Sequence, residues 1–430
     1  MSRGIDRGVK STVDWVLIAS YLLLILIGWV NVYASVHTPE TTGILDFDLR
    51  SGKQFVWILT AFALGAVILF IVNPRLWEVV STPAYLGALL LLVAVIFLGS
   101  AHKGSHSWFS LGAVSFQPAE ISKITTSLML ATVMSRQTFS LKVRRDLLTV
   151  AGILLLPVLI ILAENETGSA LVYTGFLFVL FMEGMSGVFL AVIGLAVALF
   201  VLTLKFSTTV SLVVLGLVAL AYLLFILKHT RPMSRERRSS LWILSLAGLG
   251  MAVLVFSTDF AFNHLLQEHQ RLRIEVLLGI KDDPMGVGYN VRQSMIAIGS
   301  GGFSGKGFLN GTQTTYGFVP EQSTDFIFCT IGEEWGFLGC LAVLVLYGIL
   351  ITRILRDASD SRESFTRIYG YCVAACLFMH LFINIGMTIG IMPVIGIPLP
   401  FLSYGGSSLW SFTILLFIFI VLRRQEKKYF

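Results

Sequence analysis

Long apolar runs separated by short polar breaks set the pattern of this chain. "WVLIASYLLLILIGWV" from Trp15 and "YLGALLLLVAVIFLG" from Tyr85 belong to stretches long enough to cross a bilayer as helices, which takes roughly 20 residues. Such stretches lie near 13–34, 54–72, 78–99, 118–135, 147–163, 168–184, 188–204, 208–228, 240–257, 326–351, 369–390 and 406–422. A β-barrel would show short alternating segments instead. The pattern predicts an all-α, polytopic integral membrane protein with about twelve spans. It forms a single transmembrane domain over 1–430, with one long outer loop at about 258–325. The spans at 168–184 and 188–204 are short and closely joined. Within the loop, "FNHLLQEHQRLRIEVLL" carries Leu265, Leu266, Leu272 and Val276 at helical spacing, the pattern of a helix lying on a membrane surface.

Composition agrees: 56% of residues are hydrophobic and 13% charged, about half the charge of a soluble domain. Charge then orients the spans. With the N-terminus in the cytoplasm, the inner segments hold "SRGIDRGVK", Arg75, "RQTFSLKVRRD", "KHTRPMSRERR", "TRILRDASDSRESFTR" and "RRQEKK", whereas the short outer loops hold Arg50, Lys53, Lys103 and Lys205. That bias follows the positive-inside rule and places both termini inside. It accounts for the net charge of +6, and no nucleic-acid partner is needed to explain it. The basic start precedes an apolar stretch too long for a signal peptide and without a small-x-small cleavage site, so it reads as a retained first helix. Cys329, Cys340, Cys372 and Cys376 lie in apolar stretches without Cys-x-x-Cys spacing and read as packing residues.

Four polar stretches interrupt the apolar pattern. "GIKDDPMGVGYN", Gly279–Asn290, falls in the outer loop. Asp-Pro with glycines is ordinary turn chemistry. A fixed, ionised acid beside accessible backbone also suits a general base. "IGSGGFSGKGFLNGTQ", Ile298–Gln313, resembles a phosphate loop but fails the Walker pattern at Ser300 and Gly307. It reads either as a flexible loop or as a backbone nest in which Lys306 helps hold a phosphate. "FQPAEISK" puts Glu120 and Lys123 on one helix face after Pro118. Glu333 and Glu334 lie further into a span than Asp325, and ionisable groups there point to a water-filled cavity. "MPVIGIPLPFLSYGGSS", Met392–Ser408, has three prolines and three glycines. It cannot be a continuous helix, so it must be buried in protein or line a cavity. No zinc motif, nucleophile elbow or Rossmann fingerprint is present.

Taken in order, "WFSLGAVSFQPAEISK", "DPMGVGYNVRQSMIAIGSGGFSGKG", "GTQTTYGFVPEQSTDFIF", "GEEWGFLG" and "PLPFLSYGGSS" resemble the shape, elongation, division and sporulation family of bacterial glycosyltransferases over nearly the whole length. "GTQ" and "GIPLPFLSYGGSS" look more like the elongation member than the division member. The resemblance implies polymerisation of lipid II, the undecaprenyl-pyrophosphate-linked disaccharide-pentapeptide, into glycan strands at the outer face of the bacterial cytoplasmic membrane. It implies a class B penicillin-binding protein as crosslinking partner, support from a divalent cation (Mg or Mn), and no organic cofactor. The family's essential loop aspartate maps onto Asp283. It would take the proton of the acceptor 4-hydroxyl as that oxygen attacks the donor anomeric carbon, although a role as metal ligand stays open. Trp108, Gln117, Glu120, Lys123, Lys306, Thr312, Gln313, Glu321, Asp325, Glu334, Tyr404 and Ser407 become candidates for binding pyrophosphate or sugar or for lining the cavity, with Lys123 and Lys306 the cations for the leaving group.

The chain departs from the family in places. The family usually has ten spans, which leaves an extra hairpin between about 185 and 240 or a span counted twice. The common Gln-Pro-Asp reads Glu164-Asn165-Glu166, the common Arg before Trp108 is Ser107, and the usual His before Thr324 is Ser323. Against the polymerase stand a lipid-linked precursor flippase, which suits many spans with buried acids and broken helices, and a scaffold that only recruits the crosslinking partner. The outward acid Asp283 favours the polymerase; a division role is the alternative within the family.

Overall fold

The computed structural model describes residues 14–37, 43–102, 105–111, 114–231, 234–264, 268–281 and 288–429. The helices are α1 (Trp15–Val36), α2 (Arg50–Phe70), α3 (Arg75–Leu98), α4 (Pro118–Met134), α5 (Arg144–Ala163), α6 (Thr167–Val172), α7 (Phe176–Met182), α8 (Gly187–Lys205), α9 (Thr208–His229), α10 (Arg235–His264), α11 (Glu268–Leu277), α12 (Tyr289–Gly301), α13 (Thr312–Thr315), α14 (Ile327–Ser359), α15 (Ser364–Thr388) and α16 (Gly406–Tyr429). Among the described residues, ten helices are long and apolar enough to cross a membrane. The other two expected spans are shorter. Of these, α4 has 17 residues and is buried along nearly its whole length. The second, Thr167–Met182, is broken by a 3-10 turn at Tyr173–Gly175. There Gly175 lies against α15 so closely that a Cβ would sit 2.5 Å from Met379 Cγ.

Local signals set the helix ends. Asp14 caps α1, accepting from the backbone N–H groups of Val16 at 2.9 Å and Leu17 at 3.3 Å. Pro118 opens α4 at a position where no N–H is needed. Two features depart from the sequence pattern. Among its described residues the expected outer loop carries more than the one surface helix expected there, because α10 runs on to His264 and is followed by α11, α12 and α13; Leu265 and Leu266 of that surface helix lie outside the described residues. Residues between α3 and α4 form a small antiparallel sheet, β1 (Ser100–His102), β2 (Ser105–Leu111) and β3 (Val114–Phe116), in that order. Its register pairs Ser100 with Trp108 and Phe109 with Phe116.

The chain divides into two compact units, residues 185–289 and the remainder. In the smaller unit, α8, α9 and α10 pack around Leu199, Met251 and Val255. In the larger unit, contacts define two ends. At one, Gln322 reaches Ser35 at the end of α1, and the Trp29 indole N–H donates to Ser51 O at 2.9 Å; the sheet and the irregular segments lie here. The other is rich in charge. Arg353 pairs with Asp14, Arg367 grips Glu183 through two bonds of 2.8 and 3.0 Å, and Glu426 accepts from Ser361 and Arg423 at 2.7 Å.

Candidate functional site

Asp282 and Asp283 lie outside the described residues. The segment leading to them is held on α11, where Glu275 accepts from Arg271 Nε at 2.9 Å and pairs with Lys281 Nζ at 2.6 Å. The Lys281 ammonium beside Glu275 holds its carboxyl below the usual carboxylate range.

In the larger unit, a break in α14 organises the sheet end. Gly336 has φ 62 and ψ −157 inside the helix, a region open essentially to glycine alone. The break frees backbone groups on both sides, and the glycine-rich stretch 299–307 supplies their partners. Lys306 N donates to Glu333 O and Gly307 N to Glu334 O, both at 3.0 Å; Phe337 N donates to Gly302 O at 2.9 Å and Leu338 N to Phe303 O at 3.2 Å. Irregular backbone is thereby satisfied inside protein. The glycines are needed for approach: a Cβ on Gly301 would lie 1.9 Å from Gly332 O, and one on Gly305 2.1 Å from Glu334 O.

Backbone N–H groups of the 312–314 turn converge on an anion, and that anion is internal. Glu333 Oε1 accepts from Lys306 Nζ (2.6 Å), Thr312 N (2.8 Å), Gln313 N (2.9 Å) and Thr312 Oγ1 (3.2 Å); its Oε2 accepts from Thr314 N and Thr314 Oγ1, both at 2.9 Å. Lys306, Thr312 and Gln313 are thus brought together around a carboxylate of this chain, where the sequence reading had them holding a phosphate. Of the pair Glu333 and Glu334, the sequence singles out Glu334. The latter is buried, with no hydrogen-bond partner for either carboxylate oxygen among the described residues.

A second cluster joins α4 to α15. Lys123, 2% exposed, donates to Glu120 Oε1 and to His380 Nε2, both at 2.7 Å, and stands 5.2 Å from the Phe412 ring centroid. The other ring nitrogen of His380 lies 3.1 Å from Pro398 O. A carbonyl only accepts, so Nδ1 carries the proton and the Nε2 lone pair faces the ammonium. Lys123 is therefore spoken for by α4 and α15 and does not present its charge at a surface. His380 has no sequence motif to mark it.

One turn further along α15, Asn384 Nδ2 donates to Asp325 O and Ile397 O, both at 2.8 Å. Ser403 Oγ donates to Thr324 O at 2.6 Å and accepts from Leu399 N at 2.8 Å, while Tyr404 N donates to Ser323 O at 2.8 Å. Residues 321–326 and the irregular 392–405 segment are thus stitched together. On their rim, Arg50 lies 3.8 Å from Glu321 and 5.7 Å from the centre of the Tyr404 ring, with its side chain 45% exposed. Ser407 lies in the first turn of α16 and Gln117 caps the start of α4 without a side-chain bond. Trp108 sits on β2, whose neighbouring Ser107 donates to Glu166 Oε2 at 3.4 Å. Glu164, the family's Gln position, is 2% exposed with both oxygens unpartnered among the described residues. Burial, reinforced by the Glu166 carboxylate, pushes its carboxyl up to about 8.

Residues 14–428 match the family model described as cell cycle protein, FtsW/RodA/SpoVE. The chain belongs to the FtsW/RodA/SpoVE family. Among FtsW/RodA/SpoVE relatives, the peptidoglycan glycosyltransferase MrdB of Escherichia coli K12 is 35% identical, covering 93% of this chain and 92% of its own. The peptidoglycan glycosyltransferase RodA of Treponema pallidum is 32% identical over 94% and 96%. A solved peptidoglycan synthase complex, described as coordinating polymerization and crosslinking, matches at 26% identity with a TM-score of 0.67, covering 96% of this chain and 98% of that one. The rod shape determining protein RodA of Thermus thermophilus shares the FtsW/RodA/SpoVE fold at a TM-score of 0.61, over 97% and 98%, with 23% identity. This chain is thus a multi-pass membrane protein of that fold.

Proposed function

We propose that this protein is a peptidoglycan glycosyltransferase that polymerises lipid II during cell elongation, working beside a class B penicillin-binding protein. The observation that carries the reading is likeness over almost the full length to MrdB and RodA, at 35% and 32% identity, with the "DDPMGVGYN" motif intact. FtsW relatives stand lower, at 29% and 28%, which favours elongation over division. The basic residues of the charged end argue that this end, and both termini, face the cytoplasm. The sheet end then faces outward, where lipid II is consumed.

Asp283 acts as the base: it takes the proton from the acceptor 4-hydroxyl while that oxygen displaces undecaprenyl pyrophosphate from the donor's anomeric carbon. The leaving group gains charge and needs a cation. Lys123 and Lys306 are engaged by Glu120, His380 and Glu333, so they brace the larger unit itself. Arg50, half open beside Glu321, Ser323 and Tyr404, and the exposed Lys53 are cations that the sheet end of the larger unit offers to a pyrophosphate. No three His, Cys, Asp or Glu side chains gather among the described residues. Asp282 and Asp283, with the pyrophosphate itself, are the candidates to meet a divalent cation, Mg or Mn, and no step depends on one.

The test is glycan synthesis from lipid II in liposomes by the purified chain with its partner, beside Asp283→Asn. Polymer from the parent alone supports the reading. Polymer from both removes Asp283 from catalysis, and lipid II crossing the bilayer without polymer makes the protein a flippase.

A further inference from the structure

At the charged end, far along α14 from the broken helix, a groove of about 440 Å³ opens between α1 and α14. Val345, Gly348, Ile349, Thr352, Arg353 and Arg356 line it along one face of α14, at the three- and four-residue spacing that makes neighbours on a helix. Val16, Val345 and Ile349 give it apolar walls. At its mouth the charges are unequal. Arg353 is held by Asp14, and Asp357 is paired with Lys427 at 3.5 Å. Asp360 is exposed one turn on and makes no ion pair with Arg356 among the described residues. Arg356 and the Thr352 hydroxyl are exposed and have no side-chain partner there.

An apolar slot whose rim offers an uncompensated guanidinium and a hydroxyl matches one kind of membrane component. The geometry points to an anionic phospholipid seated between α1 and α14. Its acyl chain lies against Val16, Val345 and Ile349, and its phosphate meets Arg356 and Thr352. Basic pockets between membrane helices select acidic headgroups on these grounds. A zwitterionic lipid fills the slot equally well but leaves Arg356 facing its own ammonium. Gly348 keeps the slot open: a Cβ there would meet nothing within 4 Å, so a larger side chain occupies the groove without straining the helix pair.

The test reconstitutes the full chain into bilayers of phosphatidylethanolamine and phosphatidylglycerol, extracts it gently and counts retained lipids by native mass spectrometry. The parent is expected to keep phosphatidylglycerol in preference to phosphatidylethanolamine. Arg356→Gln should reduce that retention about five-fold, the weight of one arginine against an acidic headgroup, and Arg356→Lys should largely restore it. Gly348→Leu should expel the lipid while thermal unfolding stays at the parent value, which separates occupancy from folding. Equal retention of both lipids by the parent, or unchanged retention in both Arg356→Gln and Gly348→Leu, overturns the inference. So does retention of neither lipid with the groove protected only in the complex with a crosslinking partner, which makes it a helix-docking face. The readout is lipid retention, so it is independent of whether the chain polymerises lipid II.

Discussion

Replacing Gly336 by alanine tests the splice between the glycine-rich stretch and the broken helix. The new Cβ would sit 2.3 Å from Gly305 N, 2.8 Å from Phe303 O and 2.9 Å from Gly302 O. All three are backbone atoms, so no rotamer relieves the clash. The backbone itself, at φ 62 and ψ −157, costs a side-chain-bearing residue about 1–3 kcal/mol. If the loop backs away to make room, bonds such as Phe337 N to Gly302 O and Gly307 N to Glu334 O are stretched or lost, at about 0.5–1.5 kcal/mol each. Two such bonds and the strain together give roughly 2–6 kcal/mol, a large share of the ~5–15 kcal/mol that a folded protein commands. Thermal unfolding of the detergent-purified full chain reads this directly. Gly348→Ala is the control. It lies in the same helix with open space around its Cα, where alanine is favoured by about 1 kcal/mol. Gly336→Ala should melt far below the parent and Gly348→Ala at or slightly above it. Equal melting of the two variants would refute the splice.

Glu333→Gln removes the anion that six donors converge on and leaves the Lys306 ammonium to Thr312 Oγ1 and solvent; a loss of about 3 kcal/mol is expected, visible in the same unfolding assay. Lys306→Met leaves the carboxylate its backbone and threonine donors and should cost less; an equal or larger cost would displace Glu333 as the hub. His380→Leu leaves the Lys123 ammonium with Glu120 alone and takes the His380 donor from Pro398 O; it should lower stability by about 2–3 kcal/mol, while His380→Gln, which can serve both, should recover most of it. For Glu164 the folded carboxyl is raised to about 8 from 4.5. Its stabilising contribution is therefore present below about pH 4.5 and is lost as pH rises through about 8. Glu164→Gln should flatten that slope, gaining on the order of a few kcal/mol over the parent at pH 8 and little at pH 5; a constant difference across pH would show that Glu164 does not titrate in the folded state.

Much of this architecture is legible in the sequence because burial in a membrane is written in long apolar runs, and breaks in them must be satisfied by protein. The irregular Met392–Ser408 segment follows from its prolines and glycines, and Glu120 with Lys123 from helical spacing. What is hidden is partner choice. Lys306 of the glycine-rich stretch does meet an anion, but that anion is Glu333, 27 residues on, and the backbone donors around it come from the 312–314 turn. Nothing in the local pattern distinguishes an internal carboxylate from a bound phosphate. His380 looks like any polar residue in an apolar helix until α4 is laid beside it. The small sheet is short, and its alternation is masked by the apolar runs on either side. Asp283 remains an assignment made from its motif.

The motifs that mark the family divide by the work they do. Asn384 ties Asp325 O to Ile397 O, Ser403 ties Thr324 O to Leu399 N, and Glu333 gathers the turn at 312–314. Glu333 and Ser403 belong to the most recognisable stretches of the chain and Asn384 lies outside them on α15, yet each spends polar groups on backbone that membrane helices leave unsatisfied. Gln322 Nε2 closes the 312–326 segment on itself by donating to Thr314 O at 2.7 Å, and the bonds from Ser403 and Tyr404 tie that segment to 392–405, so the two act as one braced layer at the sheet end. Loss of glycan synthesis on substituting such a residue therefore has two causes, removal of a reacting group or collapse of the layer. Stability separates them. A variant of the layer should lose activity and melting temperature together, whereas Asp283→Asn, if Asp283 is the base, should lose activity with melting unchanged.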